Sequence, residues 1–82
     1  MKKSLVIHMQ EDFESGPIAK LVQIANKYSS QIYLEIKGRR VNAKSIMGML
    51  STPLRHEETV VLDVIGEDEA EAAAELEQFL TK

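Results

Sequence analysis

A chain of 82 residues with 44% hydrophobic and 28% charged side chains, four glycines and two prolines has the make-up of one folded domain spanning 1–82, not of a disordered segment or a two-domain enzyme. At this size roughly 60% of the unfolded chain's surface is buried, which leaves little interior for an enclosed substrate cavity. The lack of cysteine excludes a disulfide framework and a sulfur-ligated metal, and thirteen Asp and Glu against ten Lys and Arg, a formal net charge of -3, argue against direct nucleic-acid binding.

No apolar run is long enough to span a membrane, and Met1-Lys2-Lys3 is followed by no signal-peptide core, so a cytoplasmic protein is expected. Ser4-Leu5-Val6-Ile7-His8-Met9 suits a strand ending near Gln10, with Leu5, Ile7 and Met9 on one face and Val6 and His8 on the other. After an acidic stretch, Pro17 opens an amphipathic helix with Ser15 as its cap and Ile18, Leu21, Val22, Ala25 and Tyr28 at helical spacing. Ser29-Ser30 closes it. Ile32, Leu34 and Ile36 then alternate with Tyr33 and Glu35, and Lys37-Gly38 turns the chain into Arg39-Arg40-Val41-Asn42, which reads as a hairpin.

Ser45 precedes Ile46-Met47-Gly48-Met49-Leu50, one or two helical turns that Ser45 caps and Pro53 stops. Beyond the charged loop Arg55-His56-Glu57-Glu58 lies the last strand, residues 59–65, with Val60, Leu62 and Val64 on one face. From Gly66 the chain is acidic and then alanine-rich, with Ala72, Ala73, Leu76, Phe79 and Leu80 placed for a C-terminal helix. This order of elements predicts an α+β fold with helices on one sheet face and water on the other.

The segment Val41-Asn42-Ala43-Lys44-Ser45-Ile46-Met47-Gly48 resembles the regulatory serine motif of the HPr family, the phosphocarriers of the bacterial sugar phosphotransferase system. Leu21-Val22-Gln23, the Lys37-Gly38 hairpin and Gly66-Glu67-Asp68-Glu69 extend the resemblance over nearly the whole chain. It implies a βαββαβα open-faced sandwich with a four-stranded antiparallel sheet. Phosphocarrier members carry a His-Ala-Arg-Pro type motif at the first helix; the matching residues here are Glu14-Ser15-Gly16-Pro17. A carboxylate cannot form the phosphohistidine bond, and glycine at 16 removes the arginine that would clamp the phosphoryl oxygens. The resemblance therefore implies a regulator of the Crh type rather than an enzyme or a relay protein.

Such members are phosphorylated by HPr kinase/phosphorylase on the serine that corresponds to Ser45, and then act as corepressor for a LacI-type catabolite control repressor. Lys44, Arg39 and Arg40 are expected near Ser45, with Ile46, Met47 and Leu50 as an apolar docking patch; Met47 and Met49 both suit such a surface, and the run is expected to split, with some side chains inward and Met47 outward. The residues alone give each of these a plainer role: a helix cap, a solvated basic turn and core packing. Glu14 could supply part of a phosphohistidine's charge, or accept a phosphoryl group as an acyl phosphate; an unmodified interaction domain is the third reading. His8 and His56 have no metal-site or catalytic company, so neither metal nor cofactor is expected, and the chain is expected to be a monomer or weak homodimer.

Overall fold

The computed structural model describes residues 1–8, 15–52, 54–55 and 57–81. The elements run β1 (Lys2–Val6), α1 (Ser15–Asn26), β2 (Gln31–Ile36), β3 (Arg39–Asn42), α2 (Ile46–Leu50), β4 (Thr59–Ile65) and α3 (Glu69–Leu80). The strands form one antiparallel sheet in the order β1-β4-β2-β3, with Leu34 opposite Val41 on one side and Leu62 on the other. This is the α+β, βαββαβα arrangement expected from the sequence.

Alternation decides which sheet face is dry. Ile32, Leu34 and Ile36 of β2, Val41 of β3 and Val60, Leu62 and Val64 of β4 are buried beneath the helices. Ile18, Leu21 and Ala25 of α1, Met49 of α2 and Leu76 and Leu80 of α3 close the core from above. The opposite face carries Lys2, Ser4, Tyr33, Glu35, Arg40 and Val61, none of them buried. The hairpin between β2 and β3 turns on Lys37 (φ 51°) and Gly38 (φ 80°), two left-handed residues whose twist matches that of the strands they join.

The boundaries depart from expectation in small, physical ways. β1 starts at Lys2 rather than Ser4 because Lys2 and Lys3 pair with Asp63 and Leu62 of β4; Met9 and Gln10 lie outside the described residues. Ile7 continues past the strand through backbone bonds, donating to the Glu58 carbonyl at 2.9 Å and accepting from the Glu57 N–H at 2.7 Å. α1 already includes Ser15, so the expected cap falls inside the helix, and it ends at Asn26, before Tyr28. Its buried stripe is wider than the spacing suggested, because Ile24 is also buried.

Candidate functional site

The serine loop is built by Asn42, the last residue of β3, through its side chain and its backbone. The Asn42 carboxamide oxygen accepts from the Lys44 N–H at 2.9 Å and the Asn42 carbonyl accepts from the Ser45 N–H at 3.1 Å, an Asx-type turn that brings the chain off the sheet edge. Ser45 then takes an extended conformation (φ -101°, ψ 112°) and its Oγ accepts from the Gly48 N–H at 3.2 Å, while its carbonyl takes the first helical bond from Met49 at 3.0 Å. It is the N-cap of α2, as its sequence position predicts. The hydroxyl sits half-buried at the rim of the helix.

α2 divides its apolar side chains. Met49 is fully buried, whereas Met47 is 76% exposed, Leu50 47% and Ile46 39%. A helix of five residues turns one face to the core and position 49 occupies it, so the expected split places Met49 inward and Met47 outward. Met47, Ile46 and Leu50 remain together on the outside, one residue beyond Ser45. An exposed cluster of this kind is costly in a soluble domain unless something covers it.

The basic residues are distributed differently from expectation. Lys44 is half-buried and its Nζ donates to the Tyr28 carbonyl at 2.6 Å, so its charge serves the chain just past the C-terminal end of α1. Arg40 lies on the open sheet face, its guanidinium 4.1 Å from the centre of the Tyr33 ring and bonded to Glu35 at 2.9 Å and to the buried Asp63 at 2.8 Å. The Asp63 carboxylate, followed by the Glu35 carboxylate, raises the Arg40 pKa against the opposing effect of burial. The structure thus joins Lys44 to Ser45 through the backbone and keeps the Arg40 side chain off the face that carries α2. Arg39 is exposed on the edge strand, on the same face as Val41.

Of the first-helix motif, Glu14 lies outside the described residues; Ser15 and Gly16 form the first two residues of α1, and Pro17 is half-buried in its first turn. Pro53 and His56 also lie outside the described residues. Among the described residues no cluster of three or more His, Asp and Glu is placed to hold a metal, and no helix is long and apolar enough to cross a membrane.

Three long-range polar ties around the helices had no sequence signal, because their partners lie far apart along the chain. Asp68 accepts from the backbone N–H groups of Ser29 at 2.9 Å and Ser30 at 3.0 Å and from the Ser30 hydroxyl, which together hold its carboxyl down at about 2. The Tyr28 hydroxyl donates to Glu75, whose carboxylate pushes the phenol up to about 12. Asn26 donates to the carbonyls of Val22 at 2.9 Å and Lys44 at 3.2 Å.

Comparison with known proteins matches this arrangement throughout. The family model described as the PTS HPr component phosphorylation site covers residues 1–82. The HPr-like protein Crh of Halalkalibacterium halodurans is 37% identical over 82 residues, covering 100% of this chain and 98% of its own. The phosphocarrier HPr of Bacillus anthracis superposes with a TM-score of 0.93 at 30% identity, covering 99% of this chain and 96% of its own. The crystal structure of Crh from Bacillus subtilis, an intertwined dimer with a swapped domain, gives a TM-score of 0.77 at 38% identity over 90% of this chain and 85% of its own. The chain belongs to the HPr family of the phosphotransferase system, whose members are phosphocarrier or regulatory proteins and not enzymes, and within it the chain resembles the HPr-like protein Crh.

Proposed function

We propose that this protein is a regulatory member of its family, phosphorylated on Ser45 by HPr kinase/phosphorylase with ATP, and that the phosphorylated form binds a LacI-type catabolite control repressor as corepressor. The observation that carries this reading is the juxtaposition at α2: a half-buried serine hydroxyl next to three exposed apolar side chains, Ile46, Met47 and Leu50. Phosphorylation adds about 1.5 to 2 negative charges at Ser45 without requiring the fold to change, because phosphate oxygens can take over the Gly48 N–H that the hydroxyl now caps. The partner would then read a charge and an apolar patch as one surface, its arginine meeting the phosphate and its apolar pocket meeting Met47. Lys44 adjoins this surface through the backbone; Arg40, held by Glu35 and Asp63, contributes to sheet stability instead.

Glutamate and glycine at 14 and 16, where the resemblance expects the phosphohistidine and its arginine, support regulation without relay. We also propose that the protein self-associates weakly, in line with the dimer formed by the Bacillus subtilis relative. The functional test is repressor binding by the ATP-and-kinase-treated protein, the untreated protein and Ser45→Ala. Binding confined to the treated wild type is the expected result. Equal binding by all three would replace the proposal with an interaction domain that needs no modification.

A further inference from the structure

The peptide group that joins Lys44 to Ser45 is held at both ends. Its carbonyl accepts from the Asn26 carboxamide at 3.2 Å, and its N–H donates to the Asn42 carbonyl at 3.1 Å. The preceding residue is equally committed: the Lys44 N–H goes to the Asn42 carboxamide oxygen at 2.9 Å and its ammonium to the Tyr28 carbonyl at 2.6 Å. Asn42 and Lys44 belong to the serine loop itself. Asn26 does not: it is the last residue of α1, 18 positions away in sequence, and it reaches across from a different element.

Both bonds of the Asn26 amide are compatible, because the NH₂ group has two hydrogens, one for the Val22 carbonyl at 2.9 Å and one for Lys44. The Val22 bond fixes the side chain against its own helix, so the second hydrogen is presented in a set direction. Val22 and Ala25 are buried in the core, which makes the end of α1 a rigid support. A peptide plane fixed at both its carbonyl and its N–H leaves little freedom in the backbone rotation that carries the Ser45 Cβ, and therefore in where the hydroxyl points.

We propose that Asn26 is a positioning residue for Ser45: by holding the Lys44 carbonyl it fixes the peptide plane before the serine and so sets the presentation of the hydroxyl to the kinase. This rests on the phosphorylation reading above. Displacement of a nucleophile from its attack geometry costs turnover more than binding, because the docking patch on α2 is untouched.

The test compares wild type with Asn26→Leu, which keeps the bulk and removes both donors, and with Asn26→Ala, in steady-state phosphorylation by HPr kinase/phosphorylase and ATP. Assays are run at a temperature where circular dichroism shows each variant folded. The expected result is a fall of roughly 10- to 100-fold in kcat with KM unchanged. Unchanged kcat, or a rise in KM alone, overturns the proposal. Amide hydrogen exchange on the same variants, without kinase, reads the clamp by itself: faster exchange at Ser45 and Gly48 with Leu34 unchanged is expected, and unaltered exchange at both overturns the clamp. A wild type that takes no phosphate overturns the role toward the kinase, and the exchange result then shows whether the clamp itself stands.

Discussion

Two methionines two residues apart in α2 offer a sharp test of how this short helix divides its labour. Met49 is fully buried while Met47 is 76% exposed, so truncation of each to alanine removes the same atoms from opposite environments. Deleting a fully buried methionine side chain costs the lost transfer free energy plus a cavity term, together about 2 to 5 kcal/mol. A domain of 82 residues has a total stability of about 4 to 12 kcal/mol, so Met49→Ala should consume a large share of it. The corresponding fall in Tm is roughly 10 to 30 °C. Met47→Ala should lie within about 0.5 kcal/mol of wild type. Urea and thermal unfolding by circular dichroism measure both. In repressor binding the order reverses: Met47→Ala should lose affinity while fully folded. Similar stability losses for the two variants would refute the division of α2 into a packing residue and a docking residue.

Four further perturbations follow from local contacts. Ser45→Ala removes the acceptor of the Gly48 N–H and should cost about 1 kcal/mol in chemical unfolding, whereas Ser45→Asp, itself a good cap, should stay close to wild type. Asp68 is held at about 2 by the Ser30 and Ser29 bonds, below its ordinary 3.8, so the stability it contributes is present above about pH 4 and lost as pH falls toward 2; Asp68→Asn should flatten the acid limb of a Tm-against-pH profile. Tyr28, raised from 10 to about 12 by Glu75, has the opposite sign: its contribution is present below pH 10 and lost as pH rises through 12, and Tyr28→Phe should remove that alkaline loss. Gly66 has φ 154°, and a Cβ there would meet the Ser30 Cα at 2.7 Å, so Gly66→Ala should destabilise by about 1 to 3 kcal/mol and loosen the same Ser30–Asp68 tie.

The sequence made the sheet legible because its signal is local. In β2 and β4 the period of two maps directly onto the buried faces, and the polar cap at Ser45 names the start of α2. What local pattern could not convey is which polar residues meet across the fold. Asp63 falls on the outward face by alternation, yet it is buried, because Arg40 reaches from the edge strand across β2 to cover it. That same reach takes Arg40 out of the serine site, where proximity in the hairpin had suggested it. Methionine suits a docking surface as well as a core, so the sequence predicts a split in α2 without naming which side chain turns inward; the register of a five-residue helix is set by its packing on β3 and α1, not by its own sequence. Asn26 carries no local signal of its role, because its partner lies in another element.

The central claim is that this chain accepts a phosphoryl group on Ser45 and not through the first-helix motif. It is tested most directly by intact mass after two parallel incubations, one with ATP and HPr kinase/phosphorylase, the other with phosphoenolpyruvate and the phosphotransferase components that charge HPr, with Ser45→Ala in each. The account predicts one added phosphoryl group in the ATP arm, absent from Ser45→Ala, and no added mass in the phosphoenolpyruvate arm. Mass gained from phosphoenolpyruvate, or mass gained from ATP that survives Ser45→Ala, would contradict it.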